Sequence, residues 1–204
     1  LKSLSILTVR ETFKPVSITK IKNAWLIDFG KNSSGYMQIT LEAPRGKEII
    51  FKYCEEISQD GQPKHNYMNT PNYYGEENYE FQTNKLIASG GRDTFKPKFS
   101  YHGFRYVIIE GLDRKPSCED IQGFFIHNDV ARKSNFVSGN EIINFIYTAG
   151  IRSSYSNMFW SLTDCPTREK LSWTNDAQAS AEQLLINFDI LPFYKKWFED
   201  ILAD

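Results

Sequence analysis

Apolar and polar residues alternate along much of the first 130 or so residues. In "YMQITL" the alternation puts Met37, Ile39 and Leu41 on one face of an extended chain and polar side chains on the other, as expected for a half-buried strand. The same period returns in "IIFKY", "FRYVIIEG" and "IQGFFIH". Gly and Pro residues separate these stretches, and many short strands with frequent turns predict an antiparallel β-sandwich.

One segment between the predicted strands is long, polar and interrupted by two prolines: "SQDGQPKHNYMNTPNYYGEEN", residues 58–78. Its composition predicts a long surface loop. Loops of this length are uncommon in compact domains, which suggests that this one contacts a neighbour or a ligand.

The hydrophobic period becomes helical after Ser134. Ser138 and Glu141 have the spacing of a capping box, in which each side chain bonds to the backbone amide of the other residue. Four apolar residues then share one helical face: Ile142, Phe145, Ile146 and Ala149. A second helix has its apolar positions at Ala177, Ala181, Leu184, Leu185 and Phe188. A third helix begins near Pro192, which suits a first turn, and is predicted to bury Phe193, Trp197, Phe198, Ile201 and Leu202.

The change of period divides the chain into two parts. The predicted sandwich occupies residues 1–130, and the helices occupy residues 131–204. Three amphipathic helices need more apolar partners than this segment supplies, so they are predicted to begin a larger helical domain. The remainder of the same polypeptide is the partner that would supply the missing contacts.

Composition and charge exclude several classes of partner. The chain of 204 residues is 41% hydrophobic and 24% charged, with a formal net charge of −1. It therefore has no broad basic field for nucleic acid or an anionic membrane. No apolar run approaches the roughly 20 residues of a membrane span, so no membrane insertion is expected. The N-terminal "LKSLSILTVR" is too short and polar for a signal peptide, and a periplasmic or extracellular location stays open.

Cysteine and histidine spacing gives no sign of a metal site. Cys54, Cys118 and Cys165 lie far apart without a CxxC pair, and the three His residues lack metal-ligand spacing. The cysteines are therefore predicted to be buried or partly buried thiols, and no metal is expected.

The densest group of ionisable residues is "DCPTREKLSWTNDAQ". Pro166 does not suit a helix interior, which leaves two arrangements open. A helix beginning at Pro166 would place Glu169, Trp173 and Asp176 on one face. A helix beginning at Thr174 would instead place Asp176 in its first turn, where the helix dipole favours a carboxylate.

The carboxylates of this stretch suggest acid–base chemistry. Asp164, Glu169 and Asp176 would repel one another when ionised, so the least solvated one would keep its proton to a higher pH. Cleavage of a glycosidic bond requires such an acid, because the leaving oxygen must receive a proton. Arg168 would hold a carboxylate or grip hydroxyls, and Trp173 would stack on a sugar ring. The alternative is a solvated surface of paired charges, with the Trp in the core.

Three elements spread over most of the chain are similar to elements of one enzyme family, and they occur in the same order. They are "DFGKNSSGYMQI", which resembles "DFGQN-x-x-G"; "FKPKFSYHGFRYVIIEG", which resembles "P-x-F-x-Y-H-G-F-R-Y"; and "DCPTREKLSWTNDAQ". The last resembles Asp-Cys-Pro-x-Arg-Glu-(Arg/Lys)-x-Gly-Trp-x-(Gly/Asn)-Asp-Ala-Gln. The family is the bacterial α-L-rhamnosidases of glycoside hydrolase family 78.

This resemblance implies a fold, an activity and roles for site residues. It implies a sandwich followed by the first helices of an (α/α)6 barrel, in an inverting enzyme that removes terminal α-L-rhamnose without a metal or organic cofactor. The substrate would be a rhamnose-containing glycan or glycoside. By position, Glu169 is the general acid, and the sugar-binding residues are Asp164, Arg168, Trp173 and Asp176. The family's general base is a Glu much further along, beyond this chain, so the isolated segment is expected to be inactive.

Two positions of the signature differ from the family pattern. Ser172 stands where Gly is usual, and it is expected to tighten the loop or to need a different φ. Asn175 stands where Gly is common, but Asn tolerates similar backbone angles. His102, in "YHGFRY", is predicted to be a hydrogen-bonding residue at a strand end rather than a catalyst.

A non-catalytic role is the alternative function. Aromatic residues make up 15% of the chain, which fits either a large aromatic core or a surface that stacks on sugars. In this alternative the chain would be a carbohydrate-binding or structural β-sandwich module, and the helices would only pack.

Overall fold

The computed structural model describes residues 6–59, 61–62, 64 and 82–203. These residues fall into two compact units. The sheet unit is Arg10–Phe125, and the helical unit combines residues 1–9 with residues 126–204. The loop predicted at residues 58–78 lies almost wholly outside the described residues. In the described part of the chain, no helix is long and apolar enough to cross a membrane.

Antiparallel strands dominate the first part of the chain. The described ranges contain eight strands: β1 (Leu7–Phe13), β2 (Ser17–Ile21), β3 (Ala24–Glu42), β4 (Glu48–Cys54), β5 (Thr83–Ile87), β6 (Arg92–Phe95), β7 (His102–Glu110) and β8 (Ile121–Asn128). They pair in the order β1-β8-β3-β7-β4-β5, with β2 and β6 also paired to β3. The pairings among β2 to β8 are antiparallel. The four alternating stretches lie in β3, β4, β7 and β8, which confirms the predicted antiparallel architecture.

The 19-residue strand β3 links the sheet together. Its first part pairs with β2 and β7, and its last part pairs with β8 and β6. Its register with β7 shifts between Asp28 and Ser33, an irregularity of the kind that bends a strand. One strand therefore serves both ends of a curled sheet, and the sandwich is built from one continuous sheet.

Alternating side chains of β3, β4 and β7 fill the core of the sheet unit. Met37 and Ile39 are fully buried, as their period predicts. Aromatic rings meet edge to face, and the ring centroid of Phe104 lies 5.5 Å from that of Phe29 and 5.2 Å from that of Tyr53. Such contacts add about 0.5–1.5 kcal/mol each to the free energy gained by burial. The sheet unit thus closes an apolar core of its own.

An ion pair joins two of the sequence elements. Arg105 in β7 donates from Nε to Oδ1 of Asp28 at 2.9 Å, and from Nη2 to Oδ2 at 3.0 Å. The amide of Gly30 donates to the same Oδ1 at 2.6 Å. Burial opposes the charge of Asp28, but Arg105 and Gly30 together hold the pKa of this carboxyl below its ordinary value. "DFGKNSSG" and "YHGFRY" therefore each supply a partner to one contact between β3 and β7.

His102 is a buried hydrogen-bonding residue at the start of β7, as predicted. Its Nδ1 lies 3.1 Å from Oε1 of Gln82, and its Nε2 lies 2.9 Å from Oδ1 of Asn84. Its ring stacks on Tyr53, with 4.0 Å between the centroids. These contacts tie β7 to the chain just before and within β5.

Three helices follow the strands in the described residues: α1 (Glu141–Ser156), α2 (Thr174–Asn187) and α3 (Leu191–Ala203). The cap of α1 is Asn140, whose Oδ1 accepts hydrogen bonds from the amides of Ile142 and Ile143. Ser138 Oγ instead accepts from the amide of Asn140. The predicted capping box of Ser138 and Glu141 is therefore wrong. The chain is still extended at Asn140, so the first free amides of the helix face this residue.

The helical unit buries only part of the predicted apolar faces. Its core includes Val130, Ile151, Met158, Leu162, Ala177, Leu184, Phe188, Ile190, Phe193, Tyr194 and Trp197. Ala181 is partly buried against this core. The remaining predicted positions are exposed: Ile142, Phe145, Ile146 and Ala149 in α1, Leu185 in α2, and Phe198, Ile201 and Leu202 in α3. The predicted burial at these positions in α3 is wrong for this chain. A helix buries a whole apolar stripe only when it has neighbours along all of that stripe.

Candidate active site

Residues 157–173 connect α1 to α2 without forming a helix. Of the two predicted arrangements, the second is observed: α2 begins at Thr174, and Asp176 lies in its first turn. A helix from Pro166 does not form. Lys170 has a φ of +55°, a left-handed conformation that a right-handed helix does not contain. Glu169 and Asp176 therefore do not share a helical face.

Asp164 closes the loop that carries Glu169. The amide of Asp164 donates to the carbonyl of Leu171 at 3.0 Å, and its Oδ1 accepts from the amide of Leu171 at 2.9 Å. Within the loop, the amide of Glu169 donates to Sγ of Cys165 at 3.3 Å. These bonds satisfy polar groups that a non-helical segment would otherwise leave unpaired. They also limit the positions that the Glu169 backbone can take.

Two donors hold the carboxylate of Glu169. Nη2 of Arg168 donates to Oε1 at 2.5 Å, and Nε1 of Trp173 donates to Oε2 at 2.9 Å. The side chain of Glu169 is 18% exposed and that of Arg168 is 40% exposed. The carboxylate is thus sheltered and has a donor on each oxygen.

These two donors lower the pKa of Glu169. The hydrogen bond from Trp173 is the largest cause, and the hydrogen bond and charge of Arg168 follow. The same ion pair raises the pKa of Arg168. The crowding of carboxylates that was expected to keep one of them protonated is therefore not what Glu169 meets in the described chain. Its hydrogen-bond partners are donors, which favour the charged form, rather than other carboxylates.

Asp164 and Asp176 line a groove between α1 and α2. The groove has a volume of about 660 Å³, which is within the range of sites for small ligands. Its lining also includes Ile151, Ser154, Asn157, Leu162, Gln183 and Leu184. The five predicted site residues thus fall into two groups. The two aspartates lie at this groove, and Arg168, Glu169 and Trp173 form a separate hydrogen-bonded cluster.

The two parts of the chain each match a domain of one family. The bacterial alpha-L-rhamnosidase concanavalin-like domain matches residues 18–127, which are more than half of the chain. The chain belongs to the bacterial α-L-rhamnosidase family. The 6 hairpin glycosidase domain of bacterial alpha-L-rhamnosidases matches residues 131–204. The predicted family, and a fold class of a sandwich followed by the start of a helical barrel domain, are confirmed.

Relatives of this rhamnosidase-family chain match it over nearly its whole length. An alpha-L-rhamnosidase of Formosa agariphila is 30% identical over 193 residues, which are 94% of this chain and 20% of that protein. The structure of alpha-L-rhamnosidase from Dictyoglumus thermophilum is 34% identical, with a TM-score of 0.87, over 98% of this chain and 22% of that one. The alfa-L-rhamnosidase of Aspergillus terreus is 26% identical, with a TM-score of 0.82 and the same 22% share of its length. The chain spans about a fifth of the length of these relatives.

Of the two outcomes predicted for Ser172, a different φ is not observed, and the left-handed residue of the rhamnosidase loop was not predicted. Ser172, which replaces the usual Gly, forms a side-chain hydrogen bond with Ser161, and it does not have a positive φ. The left-handed residue is Lys170, whose amine is partly buried, and this burial lowers its pKa to about 8. Neither composition nor spacing indicates these features, because both depend on the path of the loop.

The three cysteines are free thiols, as predicted. Cys54 is buried, and Cys118 and Cys165 are partly buried. Burial raises the pKa of Cys54 to about 12, so this thiol stays neutral and unreactive near pH 7. Within the described ranges, no three His, Cys, Asp or Glu side chains are grouped as a metal site would require.

Proposed function

We propose that the full-length protein containing this chain hydrolyses terminal α-L-rhamnosyl bonds of a glycan or glycoside, with Glu169 as the general acid. Membership of the family supports this proposal, as does the name alpha-L-rhamnosidase carried by relatives that match most of the chain. The observation that carries the site assignment is the Glu169 carboxyl, sheltered on a closed loop and held between Arg168 and Trp173.

In the proposed reaction, Glu169 gives its proton to the glycosidic oxygen as the bond from that oxygen to C1 of rhamnose breaks. A water molecule attacks C1 from the opposite face, and a second carboxylate takes a proton from this water. The aglycone leaves as a neutral alcohol, and rhamnose is released with inverted anomeric configuration. The step uses only carboxyl groups and water, so the proposal includes no metal or organic cofactor.

Four side chains, two at the groove and two bonded to Glu169, are proposed to bind the rhamnose. Asp164 and Asp176 line one groove, and their carboxylates can accept hydrogen bonds from sugar hydroxyls. Arg168 offers further donors to the hydroxyls. Trp173 is 41% exposed, which leaves part of its ring open to the apolar face of a sugar.

The general base is proposed to lie in another part of the same polypeptide. Inverting glycosidases separate their two carboxyl groups by about 6.5–9.5 Å, which leaves room for the attacking water. The resemblance to the family puts the base much further along the polypeptide than the 204 residues of this chain. We therefore expect this segment alone to be inactive on any α-L-rhamnoside.

Glu169→Gln in the full-length protein tests the assignment. For an alkyl α-L-rhamnoside we expect kcat/KM to fall by about 10²–10⁴-fold, because the poor leaving group needs the proton. For 4-nitrophenyl α-L-rhamnoside the loss should be much smaller. Glu119→Gln is the matched control, since it makes the same chemical change on a side chain that is 88% exposed. Proton NMR of the first product should show the inverted anomer.

Three results would count against this proposal. Unchanged turnover of the alkyl rhamnoside by Glu169→Gln would remove Glu169 from its role. A product with retained configuration would contradict the inverting mechanism. A full-length protein that binds rhamnosides without cleaving them would favour the alternative of a non-catalytic carbohydrate-binding module.

A further inference from the structure

The observed contacts of Glu169 suit a carboxylate better than an acid. Arg168 donates to Oε1 and Trp173 donates to Oε2. A guanidinium and an indole N–H can donate hydrogen bonds but cannot accept them. A carboxylic acid must have one oxygen that carries the proton and turns it toward the leaving group. Both bonds stabilise the ionised form, so Glu169 holds a proton more readily once one of the two donors has moved away.

We propose that Arg168 is a movable counter-ion, which leaves Oε1 of Glu169 before the acid step, whereas Trp173 holds Oε2 throughout. This inference rests on the proposed function and adds an order of events to it. Once Arg168 withdraws, Oε1 takes up one proton from the solvent and later gives it to the departing glycosidic oxygen, and the proton that the general base takes from the attacking water returns to the solvent. In this sequence Arg168 and Trp173 act through Glu169, and each is a positioning residue.

The surroundings of the two donors indicate which one moves. Exposure does not separate them, since the Arg168 side chain is 40% exposed and Trp173 is 41% exposed, but the long unbranched stem of Arg168 allows its guanidinium several positions. Trp173 directly precedes α2, and its carbonyl accepts the amide of Ala177 at 3.1 Å. Its backbone is therefore fixed by the helix. Arg168 is the donor with freedom to leave.

A second anion, Asp164, lies on the same loop as Arg168. The charge of Asp164 adds to the raised pKa of Arg168, after the larger effects of the hydrogen bond and charge of Glu169. Asp164 is held in place by its two hydrogen bonds with Leu171. Asp164 and the sugar hydroxyls are the acceptors that we propose for Arg168 once it has left Glu169.

Other titratable groups lie on the loop and on α2. Asp164 and Cys165 act on Arg168 through their charges, Lys170 lies beside Glu169 in the loop, and Asp176 lies in the first turn of α2 at the groove. Lys170 matters most for an experiment, because burial lowers its pKa to about 8. Loss of the Lys170 charge would fall in the pH range where the alkaline limb of a pH–rate profile is commonly measured. A test must therefore separate the titration of Lys170 from that of Glu169.

The pH profile of kcat/KM in the full-length protein tests the role of Arg168, because its alkaline limb reports the pKa of the acid in the free enzyme. Arg168→Gln should move this limb to higher pH, since a neutral side chain no longer favours the carboxylate. It should also raise KM more than it lowers kcat, because Arg168 has already left when the proton is transferred. Arg168→Lys restores the positive charge and should return the limb toward its wild-type position.

Trp173→Phe tests whether the indole N–H of Trp173 holds Oε2 of Glu169 in place. This change keeps an aromatic ring and removes the N–H that holds Oε2. We expect the alkaline limb to move upward here as well, because the carboxylate loses a donor. We also expect kcat to fall by about 10²-fold at every pH, since a misplaced acid no longer points at the leaving oxygen.

Two control variants isolate the effect. Arg114→Gln removes an exposed arginine of the sheet unit and should leave the limb where it is. Lys170→Arg replaces a group that titrates with one that does not, and the limb should persist if Glu169 is its source. Infrared difference spectra between the wild type and Glu169→Gln follow the protonation of this carboxyl without relying on turnover.

The outcomes separate this inference from the proposed function. A limb that stays in place in Arg168→Gln, with wild-type circular dichroism, would overturn the movable counter-ion. If Arg168→Gln does not fold, the infrared titration of Arg168→Met decides: a Glu169 transition at a higher pH than in the wild type supports the role of the charge, and a transition at the wild-type pH overturns it. A kcat for Trp173→Phe equal to that of the wild type would overturn the proposal that Trp173 positions Oε2 of Glu169. Full turnover by Glu169→Gln would instead overturn the proposed function.

Discussion

The sheet unit and the helical unit use equally clear apolar patterns with different results. In β3, the alternating residues Met37, Ile39 and Leu41 are buried within the sheet unit itself. In α1, the apolar face predicted from the sequence is open, and Phe145 is 73% exposed. An apolar pattern therefore predicts which residues are to be covered, but it does not say whether the covering residues lie in the same segment.

The difference follows from the geometry of the two element types. A curled antiparallel sheet brings the apolar face of each strand against other strands of the same sheet, so the eight strands cover one another. A helix presents a stripe that needs further helices beside it. The helical unit matches part of a 6 hairpin domain, and the candidate acid Glu169 belongs to this less covered unit.

Paired Phe→Ala substitutions in the full-length protein test the comparison directly. Phe104→Ala should destabilise the protein by about 3–5 kcal/mol, because it removes a fully buried ring. Phe145→Ala should cost a similar amount, because we expect the remainder of the polypeptide to cover the face of α1. Urea unfolding, combined with hydrogen exchange of each unit, measures both effects.

A cost below about 0.5 kcal/mol for Phe145→Ala is the value typical of a surface position. It would show that this face of α1 stays exposed in the whole protein. The prediction that the three helices begin a larger domain would then fail for α1. The difference in burial between the two units would also hold in the full-length protein.

A pair of glycines probes how tightly the sheet unit is closed. Gly111 and Gly46 both have a φ of +83°, but a Cβ on Gly111 would lie 2.3 Å from the carbonyl oxygen of Glu48, whereas a Cβ on Gly46 meets nothing within 4 Å. Gly111→Ala should cost about 2–4 kcal/mol, from backbone strain and overpacking together. Gly46→Ala should cost only the strain, about 1 kcal/mol. Equal shifts in the urea midpoint for the two variants would contradict the prediction that only a Cβ at Gly111 is overpacked.

The ion pair of Asp28 gives the smallest expected effect, and it depends on pH. Asp28→Asn should destabilise the sheet unit by about 1–2 kcal/mol at pH 7, because it weakens a charge-assisted pair. The folded-state pKa of Asp28 lies below its ordinary value of 3.8. Its contribution is therefore fully present above that value and is lost as the pH falls through the lowered pKa.

Thermal unfolding of the wild type and Asp28→Asn at several pH values checks this prediction. The gap in Tm should be constant between about pH 5 and 7 and should narrow below about pH 4. A difference in Tm that narrows as the pH rises would contradict the prediction, because it would mean that Asp28 stabilises the fold when protonated. Hydrogen exchange of β3 and β7 would show whether the change is local to the pair.

Local sequence patterns predicted the secondary structure better than they predicted the contacts between residues. The strands with alternating residues and the three helices are observed. The details that failed depend on neighbours: the cap of α1 is Asn140 rather than Ser138, and Leu202 in α3 is exposed. Spacing placed Glu169 among carboxylates, but the fold surrounds it with donors and so reverses the expected direction of its pKa.

The sequence by itself determined the periods of the strands and helices and the motifs that identify the family, because these depend on residue types at short spacing. Only the tertiary structure decided which distant groups meet. Asp28 bonds to Arg105 across 77 positions of the chain, and the loop of Glu169 is closed by Asp164 and Leu171. Hydrogen bonds and pKa values depend on neighbours in space, and a one-dimensional pattern does not specify those neighbours.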